Sequence, residues 1–257
     1  MLDAEANRRL TLGLDLLSRV REDLERASPK GDLEVKVLDY SIMLMYSRSR
    51  SLFEGIHVLI REHLAEEAIA LARSLFEESL RLMHLAREGD LRWRYVVGWI
   101  RESIGHKRSL VGDATSEEGR LKASERLRQL DEEEVQLRKA MKRLGVVTEK
   151  RFTSIENLAT IHGRLEDLWP YEVGHRMIHG SQIALAYRSS KGHLVNSEDR
   201  YMLRVRSEEP IPKLIAIVFG LRSILFAHES AAEIFHFIPH LEKSDEFFSE
   251  LEALQQA

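Results

Sequence analysis

Residues 212–230 read PKLIAIVFGLRSILFAHES, and the reading of this stretch decides the fold. Projected together with its continuation to about Phe237 as a helix at about 100° per residue, it carries Ile217, Leu221, Ile224, Ala231 and Phe235 on one side. The other side mixes Ile215, Val218 and Phe226 with Arg222, Glu229, Glu233 and His236. A helix this apolar belongs at the centre of a helical assembly. Its charged side chains must then be paired or line a cavity; the alternative is that their stripe faces solvent. Arg222 and His228 interrupt the run, so no stretch reaches the roughly 20 apolar residues of a membrane span. The helix is expected to begin near Pro210-Ile211-Pro212 and to stop at about Phe237, before Pro239.

The rest of the chain reads as further helices around that one. Five prolines and fourteen glycines in 257 residues leave long periodic segments between them. Asp3–Ala27 is a charged amphipathic helix stopped by Ser28-Pro29-Lys30-Gly31. Helical patterns follow over Leu33–Arg61, with the polar SRSRS at 47–51, then over Leu64–Glu88 and Leu91–Val111. Thr115–Leu144 is the most polar long helix, and Thr115 and Glu118 have the spacing of a capping box. It carries charge on most faces, which points to an exposed, protruding helix and to a partner surface. Phe152–His162 is a short helix. Another follows Pro170, a residue suited to a first turn. Residues 189–209 are the least helical, and the alternation over Tyr201–Arg206 suggests a short strand or extended loop. A charged tail closes the chain. The expectation is an all-α fold, a single multi-helix bundle over 1–257 with one irregular or short-strand excursion near 189–209.

Composition narrows function mainly by exclusion. Hydrophobic residues are 44% and charged residues 31% of the chain, ordinary for a soluble globular protein. Cysteine is absent, which rules out disulfides and thiolate metal sites. The net charge of −4 supplies no global field for nucleic acid. The opening MLDAEANRRL has no signal-peptide apolar core. A cytoplasmic location without a membrane anchor is the expectation.

Two polar stripes stand out besides the one on 212–230. On the helix over 64–88, Glu66, Arg73, Glu77 and His84 share one edge of the apolar arc, and Arg73 and Glu77 are i,i+4 neighbours able to pair. On the helix after Pro170, Tyr171, His175, His179 and Gln182 share a row. His at i and i+4 can chelate one metal, but only Glu172 stands nearby and the pattern is not HExxH. Ring nitrogens bonded to neighbouring helices, or a proton-transfer or anion-binding role, are the other readings.

Common motifs add little. Glu-x-x-His at Glu54/His57, Glu172/His175 and Glu233/His236 resembles the carboxylate di-iron pattern of helical bundles, at a frequency that composition nearly produces. Arg followed by His after four to six residues, used by the ribonuclease-type HEPN family, occurs at Arg50/His57, Arg101/His106, Arg188/His193 and Arg222/His228. Arg222-Ser223…His228 is the best placed of these. No Walker loop, dinucleotide turn or nucleophile elbow is present.

LARSLFEESLRLMHL (71–85) and YEVGHRMIHGS (171–181) together resemble the prokaryotic helical family known as domain of unknown function 5677, over roughly residues 40–190. The first segment matches its Arg-x-x-x-Glu helix. The second matches a pattern of Tyr, then Ser, then His and a small residue. The resemblance points to Arg73, Glu77, Tyr171 and His179, with His175 standing where the pattern has Ser. It implies an all-α fold and brings no assigned activity.

These readings combine into a cytoplasmic helical binding or regulatory module. Its polar seam comprises Arg73, Glu77, Tyr171, His175 and His179, with the Tyr171 row meeting the Arg73–Glu77 stripe across a helix contact. Residues 115–144 would be its surface for a protein partner, with self-association left open, and no cofactor or metal is expected. The rival readings are a metal-independent ribonuclease using Arg222 and His228, and behind it a carboxylate–histidine metal protein.

Overall fold

The computed structural model describes residues 2–27, 37–88, 92, 95, 105, 106, 109, 116–143, 154–172, 194–197, 200–203, 210–235 and 244–256. Helices α1 (Leu2–Ala27), α2 (Val37–Arg61) and α3 (Ala65–Arg87) open the chain. They are followed by α4 (Glu117–Arg143), α5 (Ile155–Ile161), a 3-10 turn over Leu165–Asp167 and a helical stretch at 168–172. Strands β1 (Leu194–Ser197) and β2 (Arg200–Leu203) form an antiparallel hairpin, and α6 (Pro210–Phe235) and α7 (Ser244–Gln256) complete the chain. The fold is all-α, and among the described residues the one strand excursion falls where the helical pattern lapses. Most of the helix expected at 91–111 lies outside the described residues; positions 92, 95, 105, 106 and 109 are helical.

Contacts divide the chain into two compact units, one of residues 1–35, 43–86 and 154–257, the other of 36–42 and 87–153. In the first unit α6 is the hub. Ala216, Ile217, Phe219, Leu221, Ile224, Leu225, Ala227 and Ala231 are all buried. Each large apolar side chain so buried contributes about 1.5–3 kcal/mol. The Phe219 ring stacks on Phe76 of α3 at 5.1 Å and Phe226 on Phe248 of α7 at 5.0 Å, both tilted. Tyr46 meets His228, and His63 meets Lys213. A Cβ on Gly220 would stand 3.0 Å from Ile56 Cδ1, so only glycine lets α2 approach this closely without displacing that side chain. Partner numbers on α2 rise as those on α6 fall, so the two helices are antiparallel. Helices α1 and α7 pack on α6 and on each other. By length and composition α6 could cross a membrane, yet 61% of its most apolar window is buried within the protein.

Local chemistry sets the helix ends. Helix α2 stops in a left-handed residue, His63 (φ 60°), with Leu64 N–H donating to Leu59 O at 2.8 Å and His63 N–H to Ile60 O at 3.2 Å. These two bonds close a Schellman turn, and the chain reverses into α3. Gly163 (φ 65°) repeats the device after α5: Arg164 N–H donates to Ala159 O at 2.7 Å and Gly163 N–H to Thr160 O at 3.2 Å. Left-handed backbone costs an ordinary residue about 1–2 kcal/mol, which glycine avoids. This turn throws Arg164 back into the protein interior.

Two expectations are corrected. The closing segment is not a charged tail: Phe247, Leu251 and Leu254 are buried at helical spacing on α7. The cap of α4 is Ser116, whose Oγ accepts from Gly119 N–H at 3.1 Å, while Glu118 pairs with Lys122 at 2.6 Å. The antiparallel hairpin of β1 and β2 falls inside the short-strand excursion expected near 189–209. In the second unit, α4 is mostly exposed, laced by pairs such as Arg128 with Glu125 and Glu132, and Leu130 is buried.

Candidate functional site

The polar stripe of α3 faces the segment 162–171, and the two run antiparallel. Arg73 Nη2 donates to Tyr171 Oη at 3.2 Å, and its guanidinium carbon lies 4.8 Å from the centre of the Tyr171 ring. The same Nη2 pairs with Glu77 Oε1 at 2.8 Å. Arg81 reaches the other Glu77 oxygen at 3.5 Å. Phe76, fully buried, stands 5.9 Å from the Tyr171 ring. At the far end of the stripe His84 meets His162 edge-on at 5.6 Å. Arg73 and Glu77 are half-sheltered, with side chains 16% and 19% exposed. Arg73 Nε is buried without a hydrogen-bond partner.

The structure brings Arg73, Glu77 and Tyr171 together. His175 and His179 lie outside the described residues, as does Gln182. Glu66 is buried on the same helix. Beside the seam, Glu78 is buried, and burial pushes its carboxyl above the usual carboxylate range, against Arg81 and Arg48 at 3.8 and 3.7 Å.

A second cluster was not singled out by the sequence. Arg164 is inserted between Phe76 and Phe226, its guanidinium carbon 3.9 Å from the Phe226 ring centre and 5.7 Å from that of Phe76. Its Nε donates to Asp167 Oδ2 at 2.5 Å, and the two side chains are only 3% and 4% exposed. Burial lowers its pKa, with Asp167 opposing. Arg222 pairs with Glu166 and lies 3.6 Å from Asp167 Oδ1. Arg164 Nη1 and Nη2 are buried without hydrogen-bond partners. A buried donor left unmade costs about 1–3 kcal/mol, and more when charged. The sequence signal was slight: Gly163-Arg164 after a short helix, and an Arg-x-x-Asp spacing.

Arg222 and His228 are given different partners. They lie roughly 120° apart around α6 by helix geometry. Arg222 engages the acidic pair Glu166 and Asp167, whereas His228, 1% exposed, shares a 2.5 Å hydrogen bond between its Nδ1 and Tyr46 Oη. Burial, reinforced by the positive charge of Arg50, pushes His228 down to about 4. Burial likewise pushes the Tyr46 phenol above its ordinary value. The imidazole is thus neutral near pH 7, enclosed rather than presented. Of the Glu-x-x-His pairs, Glu54 is held by Arg21 at 2.7 Å and Glu233 is exposed, while His175 and His236 lie outside the described residues. Among the described residues no three His, Asp or Glu side chains converge to hold a metal ion.

The His228 environment predicts an acid-sensitive fold. An unfolded His binds its proton near pH 6.5 and this one, folded, near 4. Between those values the unfolded chain carries more protons, so stability falls as pH drops through that window. The full loss is on the order of 3 kcal/mol. Urea denaturation at pH 7, 5.5 and 4 should show it, and His228→Gln should flatten that part of the profile. A wild-type profile no steeper than the variant's would contradict the buried, neutral imidazole.

A family model described as "Family of unknown function (DUF5677)" matches residues 39–199. The chain belongs to that family. The match spans both the Arg73–Glu77–Tyr171 seam and the Arg164–Asp167 pair, and it stops before α6 with Arg222 and His228. No curated protein and no solved structure matches the chain.

Proposed function

We propose that this family member is a cytoplasmic binding or regulatory module whose recognition centre is the Arg73–Glu77–Tyr171 seam. The observation that carries this reading is the state of Arg73. It is held by a carboxylate and a phenol, sits near the surface, and keeps a buried Nε donor unused. A guanidinium held at one nitrogen by two partners, with a donor to spare, is pre-organised to bind a polar group. Helix α4 is the proposed partner surface: its exposed Leu121 and Val135 stand among charged i,i+4 pairs, so a partner would meet apolar footholds with a polar rim.

The rival ribonuclease reading supplies the test. Purified chain incubated with mixed RNA is expected to give no cleavage that His228→Ala removes. Cleavage lost in His228→Ala, with helix content retained by circular dichroism, would replace the module reading with an enzymatic one.

A further inference from the structure

A cation buried as deeply as Arg164 ordinarily has its donors matched by acceptors. Here one edge of the guanidinium is matched and the other is not. Asp167 takes Nε at 2.5 Å, and the Phe76 and Phe226 rings offer no in-plane acceptor. Nη1 and Nη2 remain buried and unpartnered. That open edge is a fork of parallel N–H groups, the geometry that binds two oxygens of one oxyanion at once. A second guanidinium, Arg222, stands on the other oxygen of Asp167 at 3.6 Å. Arg222 also pairs with Glu166, which is half exposed at 50% while Arg222 is 19% exposed, so this pair is the solvent side of the cluster.

We infer that Arg164 and Arg222 form a receptor for a small oxyanion, a carboxylate or phosphoryl group. Arg164 grips it through Nη1 and Nη2, and Glu166 acts as the placeholder that the anion displaces from Arg222. Asp167 is the positioning residue that fixes the plane of both guanidiniums. Stacking on Phe226 holds the fork rigid, so little rotamer freedom is lost on binding. An exposed carboxylate is an inexpensive competitor, because a solvent-facing ion pair is weak. The site shares none of Arg73, Glu77 and Tyr171, and it stands or falls independently of what the Arg73 seam binds.

The test is titration of the full chain with inorganic phosphate, and separately with acetate, at constant ionic strength. The readouts are the thermal midpoint and the arginine side-chain nitrogen resonances. A saturable response to at least one anion is expected, and the responding anion identifies the headgroup chemistry. The response should vanish in Arg164→Met and weaken about tenfold in Arg222→Gln. Arg164→Lys keeps the charge and removes the fork, so it should also bind at least about tenfold more weakly if the methionine variant fails to fold. Glu166→Gln should bind more tightly than wild type. No saturable response to either anion, or one that persists undiminished in the Arg164 variants, overturns the inference. Unchanged affinity in Glu166→Gln overturns the placeholder role.

Discussion

Asp167→Ala is expected to cost about 3–5 kcal/mol of folding stability, the loss typical when one partner of a buried ion pair is removed. Asp167 is 3% exposed and is the only carboxylate bonded to Arg164 among the described residues. Without it the guanidinium would have no acceptor at all, enclosed by two phenyl rings. Arg222 would lose a neighbour as well, but it retains Glu166 at the surface. Cation–π attraction to Phe226 offsets only about 2 kcal/mol even when desolvated. The double variant Arg164→Met/Asp167→Leu should recover to within about 1 kcal/mol of wild type, since apolar groups of similar size often replace a buried ion pair without loss. Urea unfolding followed by circular dichroism would measure both. A loss below about 1 kcal/mol for Asp167→Ala, or no recovery in the double variant, would mean that the pair is reached by water.

Legibility in the sequence followed the range of the interaction. The hub was visible in 212–230 because a helix without a polar face has few places to go. Three of its polar side chains obeyed the demand that placement made, while Glu233 is exposed: Lys213 found His63 at 2.7 Å, His228 found Tyr46, and Arg222 found Glu166 and Asp167. Half of the seam was visible for a local reason, since Arg73 and Glu77 are i,i+4 on one helix. Tyr171, 98 positions further along, stood in a helical row of its own, and its link to Arg73 came with the family pattern.

Arg164 and Asp167 were hidden for the opposite reason. Three residues apart on a short segment, they resemble any surface pair. What makes them special is enclosure by Phe76 and Phe226, from two remote helices. The last helix was hidden by composition. Asp245, Glu246, Glu250 and Glu252 make α7 look like a solvated tail, although Phe247, Leu251 and Leu254 keep the spacing of a buried face. Arg19 of α1 then uses Glu250, at 3.0 Å from Nη1, to hold that face down.

Everything in the first unit depends on α6 being a packed core helix rather than a surface or membrane-seeking one, and Phe219→Ala tests this most directly. Phe219 is 1% exposed, stacks on Phe76, and lies one residue before the close approach at Gly220. Its truncation removes a buried aromatic ring and leaves a cavity in a packed core, a change that costs about 3–5 kcal/mol. Chemical denaturation of wild type and variant in plain buffer, without detergent or lipid, should show a loss of that size. A loss under about 1 kcal/mol, with the same unfolding slope, would contradict the placement of α6 at the centre of the fold.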